Sequence, residues 1–449
     1  MGDRPRRTTS VLQQRQRSPN EKRIHLLVFI SFICITPLVV VRFAQTGRWI
    51  GGSNQRQQHN FRRFREVSVE ESSLLSTQSI ERLAHEISVV FPDRSDSSWI
   101  TTTNGRDAQR LWNGLLFVKV PKCASSTVSG VMLRISKQYG VWSEVEHNLP
   151  STQRYGQRQP STSYLVATIR EPARRIVSEI MYEFSRAEIN ITQNAVEEHI
   201  QSSYRLGLSP DHSASGGSLL HWMELERTHS DPVWSNATPN TVLFPAIIQQ
   251  NVQKTLAEYD FVLIVERLDE SLVAMALSMG LELADIVYAT PSKQNKGKNN
   301  NTTSYFLNPN GVYDPPAVQA RRRKRKSRNK PKGPTCVPSH SIPYNTTRLS
   351  ATSWWRAMNY GDYLLYAAAH ISLDRTIQAL GEERFRTALA AYRRLQQRVA
   401  EACAGQVHAP CSADGRVQIH LSQQDCYRKD FGCGYPCVDR VLADTATAG

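Results

Sequence analysis

The chain has 449 residues, 40% of them hydrophobic, with a formal net charge of +15. That length and apolar content exclude a chain too poor in apolar residues to bury a core, and leave room for one large catalytic domain or two small ones. The positive balance favours anionic partners without saying which.

Residues 1–23 form a polar, basic arm. Ile24–Val41 then gives a near-continuous apolar span of 18 residues, at the short end for crossing a bilayer and weakened a little by His25, Thr36 and Pro37. A cleaved signal peptide is the competing reading. The long preceding arm and the Arg42-Phe43 pair, in place of a small-residue cleavage site, favour an uncleaved signal anchor. Seven Lys/Arg precede the span and six follow it within about 25 residues, so charge orients it only slightly. The sequons at Asn190, Asn236, Asn300, Asn301 and Asn345 all follow the span, which places the bulk of the chain in a lumen. Residues 44–75 are a Gln/Arg/Ser-rich stem with little apolar periodicity, read as flexible.

A domain is expected over residues 76–404. Leu115–Val120 is an apolar run of the kind that makes a buried strand. From Thr127, Val128, Val131, Met132 and Ile135 fall at helical spacing. Between them lies "PKCASST", Pro121–Thr127. A strand–loop–helix junction aims free backbone N–H groups and the helix dipole at whatever sits there, which makes an anion site. Lys122 adds a mobile charge, and Ser125, Ser126 and Thr127 add hydroxyls. The Gly-x4-Gly-Lys-Ser/Thr pattern of a Walker A loop is missing. An ordinary capped helix start is the bland alternative.

A second strand, Tyr164–Ile169, runs into "REPARRIVSEIMYEF", Arg170–Phe184, a helix with Pro172 in its first turn. Arg170 and Ser178 stand eight residues apart, a guanidinium fork and a hydroxyl able to hold a second anion. A third strand, Phe261–Val265, leads into a helix with Asp269 as its expected N-cap and Gly280 as its C-cap. Strands alternating with helices predict an α/β fold with a mainly parallel sheet, whose ligands lie at the carboxyl ends of the strands. A polar tract, about 293–350, interrupts the domain and contains the basic run Arg321–Lys332, read as a solvated loop. A polysaccharide-binding patch or a processing site are its functional alternatives.

Six of eight cysteines, Cys336, Cys403, Cys411, Cys426, Cys433 and Cys437, lie in the last third, as disulfides in an oxidising lumen would. They allow about 15 pairings. Zinc is the alternative, with His420 nearby, but the spacing fits no standard ligand pattern. Residues 405–449 are a Cys-rich tail.

"KVPKCASST" resembles the 5′-phosphosulfate loop of Golgi carbohydrate sulfotransferases, and "REPARRIVS" resembles their 3′-phosphate element. Within that group the chain is most similar to the galactose-3-O-sulfotransferase (galactosylceramide sulfotransferase) family, through "YDFVLIVERLDESLVAMALSMGL" and the helical stretch after Trp354. The likeness covers roughly 113–290 and 350–404. It implies a P-loop-like three-layer α/β sandwich followed by C-terminal helices. It also implies a single-pass type II Golgi membrane protein that uses 3′-phosphoadenosine-5′-phosphosulfate (PAPS), without a metal, to sulfate a glycan hydroxyl. Lys122 would then face the bridging oxygen, with Cys123, Ala124, Ser125, Ser126 and Thr127 on the 5′-phosphosulfate and Arg170 and Ser178 on the 3′-phosphate. His147, in "VEHNLP" between the two elements, is the candidate general base, with Glu144, Glu146 and His221 behind it. Glu266 is expected to organise the site, and Lys296 is a lesser nucleotide contact.

Some features depart from the family. Cys123 stands where a threonine is expected, the segment from Ser136 to His147 is short, and the basic insert and the tail have no counterpart. Two other classes compete: a non-catalytic lumenal glycan-binding protein on the same scaffold, and another nucleotide-dependent transferase such as a glycan kinase. The signal anchor argues against a nucleic-acid partner.

Overall fold

The computed structural model describes residues 76–95, 114–141, 143–146, 158–186, 192–205, 219, 223, 245–289, 304–308, 335–339, 345–404, 406, 416–417 and 434–447. The apolar span Ile24–Val41, the stem and the basic run Arg321–Lys332 lie outside them. No helix among the described residues is long and apolar enough to cross a membrane.

The elements begin with α1 (Thr77–Ile87), β1 (Gly114–Val118), α2 (Ser125–Tyr139), β2 (Ser143–Glu146), β3 (Ser163–Ile169), α3 (Pro172–Arg186) and α4 (Gln193–Arg205). There follow α5 (Pro245–Glu258), β4 (Phe261–Ile264), α6 (Leu268–Met279), β5 (Ser304–Asn308) and β6 (Thr335–Ser339). The last are α7 (Thr346–Ser350), α8 (Ser353–Met358), α9 (Tyr360–Leu380), α10 (Glu382–Ala402) and α11 (Tyr435–Thr447).

β1 to β4 make a parallel sheet in the order β2-β1-β3-β4, with Val118 opposite Ala167 and Ile169 opposite Ile264. Every residue of β1, β3 and β4 is buried, so the sheet is covered on both faces, as unbroken apolar runs require. The chain leaves β1 in one direction, to β2, and resumes at β3 on its other side. That reversal makes a topological switch point between β1 and β3, the place where open α/β sheets bind ligands.

Two contacts fix the sheet's far edge. Asp260 Oδ2 accepts the Leu165 N–H at 2.7 Å, and Arg94 Nη2 meets Asp260 Oδ1 at 2.6 Å. Burial pushes the Asp260 carboxyl above its usual range, while the Leu165 amide and the Arg94 and Arg158 guanidinia pull it down. Gly280 closes α6 at φ 68°, and a Cβ there would meet Ser95 O at 2.8 Å. The turn therefore needs glycine for its sign of φ and for its room.

A second core lies under α3. Ala173, Ile176, Val177 and Ile180 pack with Val196 and Ile200 of α4, Leu349 of α7 and Trp355 of α8. The C-terminal helices read from the sequence thus include those that cover the helix after β3.

Local differences from the sequence reading have plain causes. α2 starts at Ser125, two residues before Thr127, because a left-handed Ala124 already turns the chain. Asp269 is not the N-cap of α6: that position is Arg267, and Asp269 sits in the first turn. A 3-10 turn over Val265–Arg267 displaces the cap, and the Asp269 carboxylate instead accepts the Tyr288 O–H at 3.5 Å. β2, sequence "SEVE", carries no apolar run to betray it, yet it pairs with β1 from Leu115–Ser143 to Val118–Glu146. Inside the polar tract 293–350, β5 and β6 pair antiparallel and frame the basic run.

The tail is tied down. Cys403, after α10, is disulfide-bonded to Cys437 of α11, with Cα atoms 5.9 Å apart. Arg134 of α2 adds an ion pair to Asp439 at 2.8 Å and donates to the carbonyl oxygens of Ala284 and Asp285. The sequence left the pairing open; this one bridge is set, while the side chains of Cys336, Cys411, Cys426 and Cys433 fall outside the described set. The bridge closes a sequence separation of 34 residues. A Cys403→Ser/Cys437→Ser double variant should therefore lose about 3–4 kcal/mol, read as a lower urea midpoint. An unchanged midpoint would show that the tail adds nothing to the domain.

Candidate functional site

The loop after β1 is strained in a way that a plain turn has no need of. Lys122 has φ 60° and Ala124 φ 52°, the only positive values among the described non-glycine residues. A left-handed non-glycine residue costs about 1–2 kcal/mol. Such strain persists where a function holds it. Alternating hand along Lys122-Cys123-Ala124 turns successive N–H groups toward one side, the concavity that binds anions. No side chain caps the N-terminus of α2. Its first N–H groups thus keep their hydrogen-bonding capacity for a ligand, with the positive end of a 15-residue helix behind them. Within the loop Lys122 and Thr127 are half-buried, Ser126 is exposed, and Ser125 is buried.

The loop after β3 meets it directly. Arg170 Nη1 donates to the Lys122 carbonyl oxygen at 3.3 Å. The Nε of Arg170 is buried and has no hydrogen-bond partner among the described residues. A guanidinium held at one nitrogen and open at another suits a bidentate anion. Ser178, half-buried, lies two turns along α3. Lys122, Cys123, Ala124, Ser125, Ser126, Thr127 and Arg170 are thus brought together, and Ser178 is carried by the helix that Arg170 introduces.

The lysine side chain has a defined seat. Its Nζ lies 4.0 Å from the centre of the Tyr182 ring, a cation–π contact. Tyr182 follows Ser178 by one helical turn on the same face of α3. Sequence reasoning missed it, although the i, i+4 spacing was there to read.

Carboxylates organise the site from behind. Glu171 Oε2 accepts the Arg174 N–H at 2.7 Å and so caps α3. The Glu171 N–H donates to Glu266 at 3.2 Å. Tyr363 O–H donates to Glu171 Oε1 and Tyr366 O–H to Glu266 Oε2, each at 3.1 Å. Glu266, in the 3-10 turn after β4, thereby holds the backbone next to Arg170. Burial and the neighbouring carboxylates push both tyrosines well above the usual phenol range, so both stay protonated donors.

Cys123 is fully buried and its thiol is free. Burial pushes its pKa up to about 12, against the fields of Arg175 and Arg170. Arg175 itself is fully buried, and its positive field reaches this loop; the sequence reading passed over it within "REPARRIVS".

Several candidates are not placed. His147, His221 and Lys296 lie outside the described residues, as does the side chain of Glu146. Glu144 is half-buried in β2, opposite Leu116. β2 ends at Glu146, next to β1, so the backbone leading to His147 leaves the same carboxyl edge as the Lys122 loop.

The loop geometry has a chemical consequence that can be checked. Cys123 should resist iodoacetamide at pH 8 in the folded protein by about three orders of magnitude relative to a free cysteine, whose pKa is near 8.5. It should react once urea unfolds the chain. Peptide mass spectrometry reads this, and fast labelling of folded protein would show that the loop is open and unlike the one described.

A family model described as the sulfotransferase family matches residues 112–325. No curated protein and no solved structure matches the chain. The matched stretch takes in the Lys122 and Arg170 loops and the whole parallel sheet, and it supports a sulfotransferase enzyme.

Proposed function

We propose that the chain transfers a sulfuryl group from PAPS to a glycan hydroxyl, in the manner of galactose 3-O-sulfotransferases, on the lumenal side of the Golgi membrane. The observation that carries the donor assignment is the pair of joined loops. One offers a helix start without a side-chain cap and a lysine, and the other a buried guanidinium nitrogen with no partner among the described residues. Two anions close together on one small molecule match that arrangement, and the second phosphate distinguishes this donor from ATP. The sequence likeness to the galactose-specific family supports the acceptor. The apolar span, the sequons and the disulfide support the compartment.

Sulfuryl transfer needs in-line placement and stabilisation of charge on the leaving group more than covalent help. Bound, PAPS would supply a sulfuryl group whose departure leaves negative charge on the 5′-phosphate oxygen. Lys122 would leave the Tyr182 face to neutralise that oxygen. The N–H groups and hydroxyls of Ser125, Ser126 and Thr127 would hold the phosphosulfate. Arg170 and Ser178 would hold the 3′-phosphate, with Glu171 and Glu266 keeping the Arg170 backbone in place. His147 would take the proton from the acceptor hydroxyl.

Calorimetric titration with adenosine 3′,5′-bisphosphate tests the donor site. The chain should bind it and not ATP. Arg170→Ala should weaken it by about 2–3 kcal/mol, the scale of a charge-assisted hydrogen bond. The same change should barely affect the 3′-dephospho analogue; equal losses on both ligands would remove the role given to Arg170. Lys122→Ala should cut turnover far more than bisphosphate binding.

For the base, His147→Ala should lower kcat by about 10²–10⁴-fold with bisphosphate affinity unchanged. Turnover near the wild-type level would show that another group takes the proton.

A further inference from the structure

Beside the donor loops a cleft of about 500 Å³ opens between α1, the first half of α9 and the start of α3. Glu81 and His85 of α1, Glu171, and Tyr366 and His370 of α9 line it. Glu171 is the residue after Arg170, so the cleft and the proposed 3′-phosphate element share a wall. That wall is stiff, because Glu171 is fixed by Tyr363, by the Arg174 N–H and, through its own N–H, by Glu266.

One group on the lining is unspent. His370 Nε2 is buried and makes no hydrogen bond among the described residues, while its ring packs edge-on against Tyr366 with centres 4.6 Å apart. Burial, helped by Arg267, lowers the His370 pKa from its ordinary value, so the ring is neutral at pH 7 and Nε2 can either accept or donate.

The lining selects a class of ligand. Glu81 and Glu171, against the single guanidinium of Arg356, leave the lining net negative and disfavour the anionic donor. Carboxylates accept hydrogen bonds from paired hydroxyls, a neutral imidazole serves either partner of a hydroxyl, and a tyrosine ring covers an apolar sugar face. A neutral, polyhydroxylated molecule uses all three. We infer that the cleft is an acceptor subsite that holds a neutral saccharide beside the donor, with His370 and Glu81 as its hydroxyl-binding groups. This rests on the PAPS-dependent reading above.

The test uses the full-length chain in detergent with lactose, a neutral disaccharide, as the probe. Saturation-transfer NMR reads lactose contact in the presence of adenosine 3′,5′-bisphosphate, and calorimetry reads the bisphosphate itself. Wild type should contact lactose. His370→Ala and Glu81→Gln should each weaken it by about fivefold or more, one hydrogen bond's worth, with bisphosphate affinity within about twofold of wild type on the same scale. Glu81 is exposed on α1, so its variant reports on the cleft even if His370→Ala fails to fold. Lactose contact unchanged in Glu81→Gln, or absent in wild type with bisphosphate bound, overturns the subsite. Bisphosphate affinity falling together with lactose contact also overturns it, by placing the nucleoside in the cleft. Wild type that binds no bisphosphate refutes the donor reading first, and the subsite with it.

Discussion

The hydrogen bond from Arg170 to the Lys122 carbonyl is the contact on which the site depends. It joins the loops that follow β1 and β3, at the switch point of a parallel sheet. Each loop alone is a modest anion trap. Together they present a helix N-terminus, a lysine and a guanidinium at one edge. The bond also engages the carbonyl of a residue with left-handed backbone, so the strain at Lys122 and the placement of Arg170 are held by the same interaction.

Support for that contact reaches well beyond the loops. Glu266, in the 3-10 turn after β4, accepts the Glu171 N–H, and Tyr363 and Tyr366 of α9 lock both carboxylates. A helix some 190 residues downstream of Glu171 therefore steadies the arginine; the Tyr363–Glu171 bond spans 192 residues of sequence. On the other side, Arg134 ties α2, the helix of the Lys122 loop, to the disulfide-closed tail helix α11. The helices after the sheet are part of the site's rigidity, which a donor held by fixed dipoles requires.

Charge is divided across the carboxyl edge. Lys122, Arg170 and the buried Arg175 make the donor side positive, while Glu171 and Glu81 make the neighbouring cleft acidic. On the proposed reading, an anionic donor and a neutral acceptor have to be gathered without exchanging their places. Fields of opposite sign on either side of Arg170–Glu171 are a direct way to do so.

Much of this was legible in the chain. β1, β3 and β4 are unbroken apolar runs, and such runs can only be buried, so their existence and parallel pairing followed from composition and order. Lys122, the hydroxyls after it, Arg170 and Ser178 were legible because anion chemistry demands those residue types at strand ends. What tertiary structure decided is of another kind. β2 is polar and short and is a strand only because β1 offers it an edge. Arg267 rather than Asp269 stands at the N-cap because a 3-10 turn precedes α6. The seat of Lys122 on Tyr182, the locking of Glu171 and Glu266 and the cleft at His370 join residues far apart in the chain. The amino-acid order thus determined which groups are suited to anions, since that is a property of local chemistry. Only the packing of distant helices determined how firmly they are held and what sort of ligand can lie beside them, since those depend on distances the sequence does not contain.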